Sequence, residues 1–366
     1  MPVRGWNAVR ARAILWQALA LIAVCGLAAW LVSNTLDNLA RRGIASGFSF
    51  LDTSAGFGVT MSLIDYSEAS SFGRAFLVGL LNTLLVSAVG IVLATVLGVA
   101  IGLARLSPNW LLARLAGAYV ETLRNIPLLL QLFFWYFAVL RALPAPRASL
   151  DLGGLIFLNN RGLYLPAVES GPAIWAVLLS GACAAALVAS LTLRHRRAAR
   201  RRIAAGSLVG LGIAAIAMLL TAGWQVPALR GFNFTGGTSV IPEFVALLVA
   251  LAAYTAAFIA EIVRAGIQSV PRGQVEAAQA LSLSRRDMLR RVVLPQALRL
   301  IVPPLTSQYL NLTKNSSLAA AIAYPDLVSV FAGTVLNITG QAVEVIALTM
   351  AVYLAISLAI AGALEA

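Results

Sequence analysis

Over 366 residues the chain carries 27 Lys and Arg against 14 Asp and Glu, a formal net charge of +13, yet only 11% of its residues are charged and 60% are hydrophobic. An ordinary globular domain holds roughly 25% charged and 45–50% apolar residues, so the composition argues against a soluble enzyme and for a chain that lives in a bilayer. It also argues against a nucleic-acid partner, because basic residues that read nucleic acid cluster on a polar fold, whereas these arginines stand between apolar runs.

A helix needs about 20 mostly apolar residues to cross a hydrocarbon core of roughly 30 Å, and eight segments qualify. The first is Ile14 to Val32, uncharged and longer than the h-region of a signal peptide, so it reads as an uncleaved span. The others are Phe76 to Leu103, Leu111 to Leu140 with a break near Pro127, Pro172 to Leu193, Ile203 to Trp224, Ile241 to Val263, Leu298 to Ala323, and Gln341 to the C-terminus. Short cytoplasmic loops collect Lys and Arg. The arginine runs at Arg4 to Arg12, Arg105 to Arg114, Arg194 to Arg202 and Arg264 to Arg299 therefore place both termini in the cytoplasm. The stretches Asn34 to Phe72 and Pro144 to Ser170 fall outside, where they read as short irregular or amphipathic segments rather than a folded domain. The spans around Arg194 to Arg202 are almost purely aliphatic and read as an inserted, peripheral hairpin.

Cys25 and Cys183 lie inside apolar runs and offer no disulfide framework or metal spacing. The lone His195 sits among Arg194, Arg196 and Arg197, surroundings that disfavour metal binding and catalysis. No metal site is expected.

Polar residues mark the third and seventh spans. In the seventh, Gln308, Asn311 and Asn315 recur at helical spacing and share a face overlapped by Ser307, Lys314 and Ser317. Pro303 and Pro304 suit the first turn of that helix, which puts Lys314 about 15 Å further along and near mid-membrane. An ionisable group at that depth marks a pathway or an internal pair with a buried acid such as Glu121 or Glu261. In the third span Glu121 and Arg124 are spaced to pair with each other. Asn125 follows, and Pro127 breaks the helix and frees upstream carbonyls, a feature tolerated where a cavity is lined.

Between the sixth and seventh spans, Ser269 to Ala297 is too polar to cross. It predicts two short helices, Pro271 to Leu281 and a second capped by Ser284 with Asp287 three residues on. Met288, Leu289, Val292 and Val293 make an apolar stripe on the second, with Arg285, Arg286, Arg290 and Arg291 facing away. Such a knuckle suits docking to a soluble partner, or lying on anionic lipid.

Glu276-Ala277-Ala278 followed by Val292-Val293-Leu294-Pro295 resembles the EAA loop of permease subunits in bacterial ABC importers. Glu121 to Pro127, Glu261 to Ile267 and Leu294 to Arg299 are similar to the polar amino acid permeases, and the extra N-terminal span and inserted hairpin look most like a general L-amino acid permease subunit. The resemblance implies an all-α polytopic membrane protein of about eight transmembrane helices, with a five-helix permease core plus an N-terminal span and a hairpin. The organisation expected is residues 1–71 as N-terminal span and periplasmic loop, 72–143 as the first core part, 144–240 as inserted segments, and 241–366 as the second core part with the coupling loop at about 269–297. By the same resemblance Glu276, Ala277, Ala278, Ser282, Leu294 and Pro295 couple to the ATPase, Ser282 standing where the pattern has Gly. Lys314, Asn315, Asn311, Gln308, Ser317, Glu121, Arg124 and Asn125 are candidates for the substrate pathway.

The implied setting is the bacterial inner membrane, with an ATPase subunit, a second permease subunit and a periplasmic amino-acid-binding protein as partners and an amino acid as cargo. No G-x-x-x-x-G-K-[ST] loop is present, so this chain is expected to bind no nucleotide, ATP and Mg belonging to the partner. The rival function, an ion-coupled secondary transporter, would use midplane carboxylates and broken helices but has no use for the knuckle. A membrane-embedded enzyme lacks its His, Cys and Asp cluster. The chain stops at Ala366 without the family's basic tail, so a shortened chain is expected.

Overall fold

The computed structural model describes residues 4–41, 47–168, 223–365 and short pieces between 206 and 214. The fourth span and most of the fifth, with the Arg194 to Arg202 loop, fall outside the described residues. The first span lies within α1 (Arg4–Arg41) and the second within α2 (Phe72–Arg105); the sixth and eighth lie in α5 (Pro242–Gln268) and α10 (Ala342–Glu365). Each contains a stretch long and apolar enough to cross a membrane. The third span is a bent pair, α3 (Trp110–Asn125) and α4 (Leu128–Phe133) with its π-helical continuation Phe134–Leu140, turned by 105° at the break.

That bend has a local cause. Pro127 has no amide to donate, and Ile126 before it is extended at φ −92°, ψ 125°. The side-chain amide of the buried Gln131 reaches back to the carbonyls of Leu123 at 2.8 Å and Ile126 at 2.9 Å, taking up acceptors that the break exposes.

The chain divides into two compact units, residues 1–87 with 302–366 and residues 88–301. In the second, α5 is the hub. Ala250, Leu251, Ala256, Ala257 and Ile259 are buried along it, and α3, α4 and the Phe134–Leu140 turn all pack on it. Tyr119 donates to the Ala253 carbonyl at 2.8 Å. Gly98 and Gly102 of α2 face α5 so closely that a Cβ would lie 2.6 Å from Ile259 Cβ and 2.8 Å from the Ala260 carbonyl oxygen. Small residues one turn apart thus allow backbone contact that dispersion can exploit in lipid.

Residues 150–168, with 224–240, correct the expectation of irregular segments from Pro144 to Ser170. Leu150–Leu152, Ile156–Asn159, Gly162–Leu165 and Thr238–Val240 (β1, β2, β3 and β8) form a four-stranded antiparallel sheet in that order. Leu163 pairs with Val240 across the inserted segment. Two-stranded ribbons join Ala167–Val168 (β4) to Trp224–Gln225 (β5) and Ala228–Arg230 (β6) to Asn233–Thr235 (β7), so Trp224, expected at a span end, lies in a strand. Phe234 packs on Phe157 and Tyr164 with ring centroids 4.8 and 4.7 Å away.

In the first unit, Phe50, Phe72, Leu327, Phe331 and Val335 form a buried cluster. The chain from Tyr324 to Leu327 is stitched to α2. Asn82 donates to the carbonyls of Met61 and Pro325, both at 2.9 Å, Tyr324 donates to the Asn82 carbonyl at 3.1 Å, and the Leu327 amide donates to Thr83 Oγ1 at 3.0 Å. A short apolar helical stretch, α9 (Val328–Thr339), follows; the sequence reading did not anticipate it.

The seventh span also differs. Its helix α8 begins at Leu294 and runs to Asn315, so Pro303 and Pro304 lie inside it, not at its first turn. The helix tolerates them because only the Arg299 and Leu300 carbonyls lose their intrahelical donors and both rings sit exposed. Depth counted from Pro303 therefore loses its origin: Lys314 stands near the C-terminal end of a helix about 30 Å long.

Candidate functional site

The knuckle forms as its capping residues dictate. Its first helix is α6 (Arg272–Ala280), started by Pro271. The second opens as α7 (Arg285–Met288), where Ser284 Oγ accepts the Asp287 amide at 3.2 Å, the N-cap that the sequence calls for, and the Ser284 hydroxyl donates to Asp287 Oδ2 at 2.8 Å. The second helix does not end at Pro295. It passes through a π-helical stretch, Leu289–Val293, directly into α8, so helical backbone is continuous from Arg285 to Asn315. Pro295 lies inside that continuous path, just after the π-helical stretch, so one carbonyl of the preceding turn goes without an intrahelical donor.

Between the short helices the chain turns through Ser282, held left-handed at φ 52°. Its amide donates to the Gln279 carbonyl at 2.8 Å and the Leu283 amide to the Ala278 carbonyl at 3.1 Å, a helix-ending turn that favours glycine. The turn is therefore kept at the cost of strain, and Leu281 at its tip is exposed.

Glu276 and Ala277 are exposed, as a docking surface requires. Ala278 is not: it is buried at 3% exposure inside the knuckle, where α6 packs on the Leu289–Val293 stretch. Its small size serves that internal contact, which corrects the expectation that it meets a partner's groove. Leu294 is exposed. Of the expected apolar stripe, Val293 is buried, Met288 and Val292 are half-buried, and Leu289 stays exposed beside a hollow of about 400 Å³ lined with Leu103, Ile267 and Leu294. The four arginines are exposed, Arg291 pairing with Asp287 at 3.2 Å.

On α8, Asn311 and Lys314 are exposed and Gln308 and Asn315 half-buried, whereas Leu312 and Thr313 on the other side are buried. Ser317 continues the face into a 3-10 turn, Ser316–Ile322, donating to the Lys314 carbonyl at 2.8 Å. Among the described residues Lys314 has no ion-pair partner. One of the two acids proposed for it is already taken: Glu261 is chelated by Arg264, with Nε at 3.0 Å, and by Arg105.

Glu121 and Arg124 do not pair, contrary to the expectation from their spacing. The Arg124 guanidinium lies 5.0 Å over the Phe258 ring, where a cation–π contact takes the place of the carboxylate. Leu111, Arg114, Ala118, Glu121, Thr122 and Asn125 are all exposed and recur at three- and four-residue spacing, while Ala116 and Val120 face α5. Arg114, Glu121, Arg105, Arg264 and Gln268 line a cavity of about 410 Å³ with Gly117 and Ala118 on its wall. The sequence reading missed its cations; the recurrence of Arg114, Ala118, Glu121 and Asn125 was the available signal.

It also missed Asp326. Fully buried, it accepts the Ser329 amide at 2.8 Å through Oδ1. Burial drives its carboxyl up to about 7, against the pull of the Ser329 and Val328 amides and Tyr353.

Residues 94–366 match the family described as binding-protein-dependent transport system inner membrane component. The chain is 58% identical over 358 residues to a putative amino-acid ABC transporter permease protein of Escherichia coli, YhdX, covering 95% of this chain and 91% of that one. It is 49% identical to the general L-amino acid transport system permease protein AapQ of Rhizobium johnstonii, over 95% and 89% of the two chains. A third relative is the glutamate/glutamine/aspartate/asparagine transport system permease protein BztB of Rhodobacter capsulatus, 43% identical over 96% and 92%.

Proposed function

Because the chain belongs to the inner membrane components of binding-protein-dependent transport systems, we propose that it is one permease subunit of a heteromeric ABC importer that carries L-amino acids from periplasm to cytoplasm, its N-terminus inside. The permease assignment for amino acids follows from relatives that match nearly the whole chain. The chain itself catalyses no reaction. ATP and Mg are handled by an ATPase subunit docked on the knuckle, a second permease subunit completes the pathway, and a periplasmic binding protein delivers the amino acid.

The observation that carries this reading is mechanical. Exposed Glu276 and Ala277 sit on a short helix packed against the start of a helical path that runs without interruption to the face bearing Gln308, Asn311, Lys314 and Asn315. A push on the knuckle is transmitted along a helix, not absorbed in a loop. A secondary transporter has no use for that arrangement. The polar face gives an amino acid hydrogen-bonding groups and one cation for its carboxylate, and Lys314, lacking a partner among the described residues, is free to serve. The test is co-purification with the ATPase subunit and ATP hydrolysis that rises when loaded binding protein is added to the reconstituted complex. A chain that transports amino acids with no ATPase bound would refute it.

A further inference from the structure

The cavity on α3 carries charges of both signs, and two of them are unpaired among the described residues. Arg114 has no hydrogen bond or ion pair among the described residues, and neither does Glu121, seven residues and two turns further along the same face. Arg105 spends one guanidinium nitrogen on Glu261. Arg264 spends Nε and both terminal nitrogens on Glu261 and Gln268, which fixes it as part of the wall. The space exists because Ala113, Gly117 and Ala118 line it, and a Cβ built on Gly117 meets nothing within 4 Å.

An anion alone would meet the Glu121 carboxylate and a cation alone would meet three guanidinium groups. A ligand with both charges satisfies both ends. We propose that this cavity is a low-affinity site for a zwitterionic α-amino acid, its carboxylate held by Arg114 and the free edge of Arg105 and its ammonium by Glu121. With arginine-rich ends facing the cytoplasm, it is a site on the exit side of the pathway. The proposal rests on the importer reading and adds a second stop for the cargo.

The experiment uses the complete complex in lipid nanodiscs, without binding protein, titrated with radiolabelled L-glutamine. The wild type binds saturably, and Arg114→Gln and Gly117→Leu, which fills the cavity without removing a charge, each weaken binding at least tenfold. Glu121→Gln weakens glutamine but not glutaramate, the same molecule without its ammonium. Absent binding, or equal affinity in wild type and all three variants, overturns the proposal. So does glutamine affinity that falls when phosphatidylglycerol discs are given phosphatidylethanolamine, which would assign the cavity to a lipid headgroup. Stimulation of wild-type ATP hydrolysis by loaded binding protein, measured in the same discs, separates the two ideas: its presence without glutamine binding sinks only the cavity, and its absence sinks the importer reading.

Discussion

The side-chain amide of Gln131 donates to the Leu123 carbonyl at 2.8 Å, across the break that Pro127 makes in the third span. A second bond to Ile126 makes this one side chain the clamp for a 105° turn. Gln131→Leu keeps the volume and strands both carbonyls. It should lower the stability of the purified complex by about 1–2 kcal/mol, both bonds being part-buried. Unchanged thermal unfolding would show that water replaces the amide.

Ser282 makes the knuckle's turn at φ 52°, a conformation that costs a non-glycine residue about 1–2 kcal/mol. Ser282→Gly removes that strain but gives back roughly 0.5–1 kcal/mol of chain entropy, for a net gain of about 0.5–1 kcal/mol. Ser282→Val should destabilise, because a branched Cβ fits poorly there. Protease protection of residues 272–293 is the readout, and a Val variant as resistant as wild type would contradict the account.

Ala277 and Ala278 are neighbours in sequence with opposite surroundings. Ala278→Trp must overpack the interior of the knuckle, at about 1–3 kcal/mol, and should yield poorly folded protein. Ala277→Trp points into solvent, so it should fold normally and fail to retain the ATPase subunit on affinity purification. The reverse outcome would mean that the docking face lies on the other side of α6.

Asp326 sets a pH dependence. Its folded carboxyl titrates near 7, above the ordinary 3.8, so between those values the folded state holds a proton that the unfolded state has lost. Stability should therefore fall as pH rises from about 4 to 7 and level off above. Among the described residues, the titratable side chains acting on it are Tyr353, from α10, and Tyr324, from its own segment. Asp326→Asn should flatten that slope while keeping an oxygen for the Ser329 amide. A variant whose unfolding temperature follows pH as the wild type does would place the titration elsewhere.

What could be read from sequence was local. Pro127 announced the break, Ser284 and Asp287 announced the cap, and uninterrupted apolar runs announced α1, α2, α5 and α10. The sheet was not legible, because its strands are three or four residues long and Leu163 finds Val240 only across the inserted segment. The side on which Ala278 faces was equally hidden, since three successive residues of a helix differ only in azimuth. Arg124 was mis-paired because spacing along one helix cannot foresee the Phe258 ring of α5 over which its guanidinium lies.

The central claim is that force enters at Glu276 and Ala277 and leaves along α8. The most direct measurement is ATP hydrolysis by the reconstituted complex with and without amino-acid-loaded binding protein, in wild type, Glu276→Ala and Ala277→Trp. The account predicts clear stimulation in the wild type, reduced stimulation in Glu276→Ala and none in Ala277→Trp, with capture of amino acid by the binding protein unchanged. Full stimulation in folded Ala277→Trp complex would contradict it and leave the knuckle to the lipid surface.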